Sequence, residues 1–187
     1  MPELSNTNVL IMASDGFEQS ELMVPLGELT QRGATVHVAS PGGEAIRGWD
    51  GDDWGETVEA DLPVAEARAA DYDALVLPGG QINPDLLRVN EDAVALIRAF
   101  LSEGRTVAAI CHAPWLLIEA GAAEGREMTS YASIRTDLRN AGATVVDVPV
   151  AVSDGVVTSR SPDDLPAFVG KIVEQVEAGR RDRPAAA

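Results

Sequence analysis

Three short apolar runs constrain this chain most: NVLIMA at 8–13, YDALVL at 72–77 and TVAAI at 106–110. They show almost no polar alternation, so they read as strands covered on both faces. Segments of helical spacing separate them. Phe17–Gln31 places Leu22, Val24, Leu26 and Leu29 ahead of Gly33, and Asn90–Ser102 places Val94, Ile97, Phe100 and Leu101 ahead of Gly104. TVHVA at 35–39 reads as a further strand, Gly48–Glu59 as a hairpin or loop, and Pro114–Ala120 and Ser133–Asn140 as helices. Short strands are expected at 144–146, 150–152 and 156–159. Ser161 and Pro162 then open a helix running to about Glu177, and Arg180–Ala187 reads as a frayed tail. This alternation predicts a single α/β domain over 1–187, with its core at about 8–177. It is doubly wound: a mostly parallel sheet with helices on both faces.

Charge narrows the partners. Thirty acidic residues against fourteen basic ones give a net charge of −16, which repels phosphate backbones and anionic bilayers. No nucleic-acid or membrane partner is expected, and no apolar run nears the roughly 18 residues of a membrane span. The polar N-terminus lacks a secretory pattern, so the cytoplasm is the expected location. Lys171 is the single lysine, and an acid-rich, lysine-poor surface suits solubility at high salt. One cysteine excludes an intrachain disulfide and a multi-thiolate metal site, and two histidines leave little for a transition metal. No cofactor and no metal are expected. Asp50-Gly51-Asp52-Asp53-Trp54-Gly55 lacks the closing Glu of a calcium loop. Gly79-Gly80 lacks the spaced third glycine of a dinucleotide fingerprint.

Ligand sites in doubly wound sheets lie beyond the carboxyl ends of the strands, here Ala13–Glu18, Pro78–Asp85 and Ile110–Pro114. In Ala109-Ile110-Cys111-His112-Ala113-Pro114 the cysteine falls between a strand and a helix, the placement of a nucleophile elbow. A helix N-terminus there favours thiolate, and its N–H groups can hold an oxyanion. His112 is adjacent and can act as base. His37 alternates within a strand and reads as structural. Glu18 and Asp85 are carboxylates at the other two strand ends, and each also fits a helix-start role.

Asp15-Gly16-Phe17-Glu18, Leu77-Pro78-Gly79-Gly80, the 109–114 elbow, Thr129-Ser130-Tyr131 and 158–168 (TSRSPDDLPAF) together resemble the PfpI family of the ThiJ/PfpI superfamily. The resemblance runs from about Asn8 to Val176. It implies a flavodoxin-like sandwich, related to class I glutamine amidotransferases, and assembly as dimers or hexamers. It also implies Cys111 as nucleophile, Glu18 as the buried acid bonded to the sulfur, and His112 as the elbow histidine. The backbone N–H groups of Gly80 and His112 would form the oxyanion site. Asp85 is implied to orient the histidine, contributed from a neighbouring subunit. This chain departs from the family in a loop one residue longer before Pro84, in Asp for Glu at 85, and in His-Ala-Pro at the elbow.

The resemblance implies a cysteine-dependent enzyme acting on reactive carbonyls, a glutathione-independent glyoxalase or protein deglycase. A small carbonyl compound or a glycated protein would be its substrate. An intracellular cysteine peptidase and a non-catalytic redox sensor are the alternatives. A glutamine amidotransferase is excluded because no histidine follows His112, and no Gly-x-Ser-x-Gly supports a serine hydrolase. Trp115 fits core or pocket wall, Tyr131 site or packing, and Arg160 an ion pair near the last helix.

Overall fold

A computed structural model describes residues 4–182. The chain opens with β1 (Asn8–Met12), a two-residue β2 (Phe17–Glu18) and α1 (Gln19–Gln31), followed by β3 (Thr35–Ser40). A hairpin of β4 (Ile46–Asp50) and β5 (Asp53–Val58), a short β6 (Leu62–Pro63) and β7 (Ala74–Leu77) come next. Then follow α2 (Ile82–Arg88), α3 (Glu91–Ser102), β8 (Thr106–Ile110) and α4 (Pro114–Glu119). The last third holds β9 (Glu127–Met128), α5 (Arg135–Asn140), β10 (Thr144–Val145), β11 (Val150–Ser153), β12 (Val156–Ser159) and α6 (Leu165–Asp182).

Seven strands form the main sheet in the order β11-β12-β8-β7-β1-β3-β6. All neighbours are parallel except β11 and β12. The core strands β1, β3, β7, β8 and β12, numbered along the chain, stand in the flavodoxin-like order 2-1-3-4-5. Side chains alternate between two cores. Leu10, Met12, Leu75, Leu77 and Val107 pack with Leu87, Phe100 and Leu116 of α2–α4. Val9, Ile11, Val76, Ala108 and Ile110 pack with Leu22 and Leu29 of α1 and with Phe168 and Ile172 of α6. Burial on both faces explains why the runs carry no polar alternation.

The chain winds outward from β1 to β3, then returns to β7 on the other side. The crevice at this reversal lies beyond the carboxyl ends of β1 and β7, with β8 beside them. The β4–β5 hairpin pairs with β2 in a separate three-stranded sheet and carries Trp49 toward that crevice.

Several boundaries differ from expectation. Helix α1 begins at Gln19, because the Glu18 carboxylate caps it by accepting the Glu21 N–H. Ser161 gives no side-chain cap; a 3-10 turn over Pro162–Asp164 leads into α6. That helix passes Glu177 to Asp182, so 180–182 are helical rather than frayed, and the rest of the expected tail lies outside the described residues. His37 bonds Tyr72 through Nδ1 at 3.1 Å, in keeping with a structural role. Among the described residues, no helix is long and apolar enough to cross a membrane.

Candidate active site

Strand β8 must reverse into α4 within three residues, and Cys111 absorbs the turn with a φ of +64°. That left-handed conformation costs a non-glycine residue about 1–3 kcal/mol and persists only where surroundings enforce it. Here the Cys111 N–H donates to the Ser159 carbonyl at 3.1 Å, and its own carbonyl accepts the Tyr131 N–H at 2.9 Å. The sulfur is thereby lifted above the sheet at the end of β8, although Cys111 is only 5% exposed.

Its small exposed surface opens on a cavity of about 360 Å³. Glu18, Trp49, Ile82 and Tyr131 stand on the wall, with Cys111 and His112 at the reacting end. The backbone N–H groups of Gly80 and His112 act on the sulfur and lower its pKa. They are the two groups that the resemblance implies for an oxyanion site. Gly80 has a φ of +82°, and a side chain there would meet the Gly16 carbonyl oxygen at 2.4 Å. Only glycine brings this N–H so close.

The carboxyl beside the sulfur belongs to Glu21, and this corrects the placement of Glu18. Glu21 is fully buried in the first turn of α1, and its Oε2 accepts the Gly79 N–H at 2.8 Å. The carboxyl also interacts with the Cys111 sulfur, while Oε1 closes no hydrogen bond of ordinary geometry. Burial, and after it the charge of Glu18, pushes Glu21 up to about 8, so it is protonated at neutral pH. Glu18 instead stays half-buried at the cavity, its Oε2 accepting the Ser20 O–H at 2.6 Å and the Glu21 N–H at 2.8 Å. The two acids sit three residues apart, nearly one turn, and only the second points inward.

Burial governs the sulfur as well. It raises the Cys111 thiol, the Glu21 charge adds to the rise, and the Gly80 and His112 N–H groups oppose it. The start of α4, expected to favour thiolate, acts against that rise.

His112 sits with Nδ1 at 3.1 Å from the Cys111 sulfur. Its ring stacks on Tyr131, with centroids 4.6 Å apart, and meets Trp115 edge-on at 5.4 Å. Burial lowers its pKa and favours the neutral imidazole. Nε2 lies 3.0 Å from the Ser133 hydroxyl. If that hydroxyl accepts the Nε2–H, the Nδ1 lone pair faces the sulfur. Sequence reasoning missed Ser133, because nothing ties a serine twenty-one positions away to the ring.

Within the chain Asp85 does not orient His112. It is exposed in the first turn of α2, where it takes the helix-start role that the sequence also allowed it. The inward residue of that segment is Asn83. Its Oδ1 accepts the Ser14 N–H at 2.7 Å, and its Nδ2 donates to the Pro78 and Gly79 carbonyls at 2.8 and 3.1 Å. Asn83 therefore ties the Gly79-Gly80 turn to the end of β1. Arg160 pairs with Asp164 at 2.8 Å and Asp147 at 2.9 Å, as an ion pair near α6.

The chain is similar to known proteins over most of its length. A deglycase of Thermococcus kodakarensis is 43% identical over 166 residues, 89% of this chain and 97% of that one. The Escherichia coli protein/nucleic acid deglycase 2 is 40% identical over 162 residues, 86% of this chain and 92% of that one. A crystal structure from Anabaena variabilis, a protein with DJ-1/ThiJ/PfpI-like and ferritin-like domains, superposes with a TM-score of 0.87 at 32% identity. That match covers 96% of this chain and 52% of the other, so the chain spans about half of the two-domain protein. The model of the DJ-1/PfpI family matches residues 7–175. The chain belongs to the DJ-1/PfpI family.

Proposed function

We propose that this protein is a glutathione-independent glyoxalase and deglycase in which Cys111 adds to the aldehyde carbon of a 2-oxoaldehyde. The observation that carries this reading is the set of neighbours around one sulfur: His112 Nδ1 at 3.1 Å, the N–H groups of Gly80 and His112, and the Glu21 carboxyl. A raised thiol needs a base, and a neutral imidazole at that distance is one. As the S–C bond forms, the S–H proton passes to Nδ1 and the carbonyl electron pair collects on oxygen. That oxygen takes its proton back from the imidazolium, giving a hemithioacetal. Loss of the C1 proton to His112 and its return at C2 convert this, through an enediol, to a lactoyl thioester. Glu21, neutral and buried, supplies a donor beside the reacting carbon. Water cleaves the thioester and frees the thiol, so methylglyoxal and water become lactate. Adducts on amines and thiols that release the oxoaldehyde by equilibrium are drawn back through the same step.

Peptide hydrolysis asks more of the site, since an amide resists attack and the departing amine must be protonated by an oriented histidine. A serine rather than a carboxylate holds His112 within the chain. Asp85 would reach a histidine only across an interface between copies, for which the exposed Ile82, Leu86 and Val89 beside it offer apolar surface. Peroxide sensing requires a thiolate, and burial works against one here.

Lactate formed from methylglyoxal without added thiol tests the reading. Cys111→Ser is expected to lower it at least about a thousandfold. An unchanged rate in Cys111→Ser overturns it.

A further inference from the structure

The cavity above Cys111 is uneven in charge. Among the described residues Glu18 is the one on its wall with a formal charge; the other groups beside Cys111 are Trp49, Tyr131, Ile82, Gln81, Pro162, glycines and a histidine that burial keeps neutral. Among the described residues no arginine or lysine lines it. The Glu18 carboxylate is fixed there rather than free to swing away. Its Oε2 is held by the Ser20 hydroxyl at 2.6 Å and by the N–H at the start of α1 at 2.8 Å, donors that suit the ionised form.

We propose that Glu18 is a charge filter for Cys111, admitting uncharged and cationic carbonyl compounds and turning away those that carry a carboxylate or a phosphate. The proposal deepens the reading of Cys111 as a carbonyl nucleophile by naming the substrate class its cavity accepts. A fixed negative charge in a half-buried cleft raises the energy of a second one several ångströms away, by an amount that salt reduces. A cation would find the carboxylate and the aromatic residues Trp49 and Tyr131 in the same cavity lining. An oxoaldehyde borne on a guanidinium or ammonium side chain fits this lining, and so does free methylglyoxal. The hydroxy acid formed from either is an anion, so the same carboxylate hastens its departure.

The test uses the single cysteine of the chain. Iodoacetamide and iodoacetate alkylate a thiol through the same reaction and differ in charge. Their rate ratio at Cys111, read by intact mass and divided by the ratio for 2-mercaptoethanol, measures the filter without any turnover. The wild-type protein is expected to favour iodoacetamide, and Glu18→Gln to lower the preference about tenfold. The glutamine oxygen can still accept the Glu21 N–H, so the cap on α1 survives. Glu18→Asp retains the charge and is expected to keep at least part of the preference. Glu124→Gln removes one exposed charge outside the cavity lining, and is expected to leave the ratio unchanged. Equal ratios in wild type and Glu18→Gln, or an equal drop in Glu124→Gln, overturn the filter. Because alkylation needs no oxoaldehyde chemistry, the filter and the glyoxalase reading can fail separately.

Discussion

At the scale of single residues, Glu21 carries the largest consequence. Its carboxyl titrates near 4.5 as a free group and at about 8 in the folded protein. Between these values the unfolded chain has lost a proton that the folded one keeps, so stability falls as pH rises from about 4.5 to 8 and levels beyond. Glu21→Gln removes that slope. Chemical unfolding at pH 5 and pH 8 is expected to show a wild-type loss of several kcal/mol that the variant largely lacks; parallel profiles contradict the placement of the proton. Ser133 is the second test. Ser133→Ala frees Nε2 of His112, and kcat for lactate formation is expected to fall about tenfold with a changed pH profile and an unmoved Tm. Ser133→Thr is expected to restore the rate. A rate that follows Tm instead makes the serine merely structural. The places of Cys111 and His112 were legible because strand and elbow fix them, and that of Gly80 through the family resemblance of its Pro-Gly-Gly turn. Glu21 was not, because Glu18 and Glu21 share one short acidic stretch and only the start of α1 decides which of them faces inward.

At the scale of elements, the main-sheet strands other than β6 and the long helices α1, α3 and α6 follow from sequence alone, whereas the two-residue strands β2, β6 and β9 do not. β7 and β8 are buried along their whole length, and α3 is capped by Asn90, whose Oδ1 accepts the Ala93 N–H at 3.0 Å. Of α2 only a helix start at Asp85 was legible, and the helix in fact begins three residues earlier at Ile82, with Pro84 tolerated in its first turn. The tightest joint between elements is Gly79. A Cβ there would stand 2.6 Å from Glu21 Oε2, 2.7 Å from the Cys111 Cβ and 2.8 Å from the Ile110 carbonyl oxygen. Backbone and elbow cannot retreat, so Gly79→Ala is expected to cost about 3 kcal/mol and to lower Tm accordingly. A variant as stable as wild type would mean that the β7 turn and the elbow are not packed together as described.

At the scale of the whole molecule, a charge of −16 sets the solution behaviour. Self-repulsion among the carboxylates weakens as ions screen them. Tm is expected to rise by about 3 °C or more from low to molar sodium chloride, and a flat response removes the argument from charge. The winding order places one cysteine at the crevice where the sheet reverses, and the functional account stands on that sulfur. Its most direct test is peptide mapping of protein quenched in acid during methylglyoxal turnover. The account predicts an adduct with the mass of one methylglyoxal on Cys111, the lactoyl thioester, that decays as substrate is exhausted. Adducts confined to arginines, with an unmodified Cys111 throughout turnover, would contradict it.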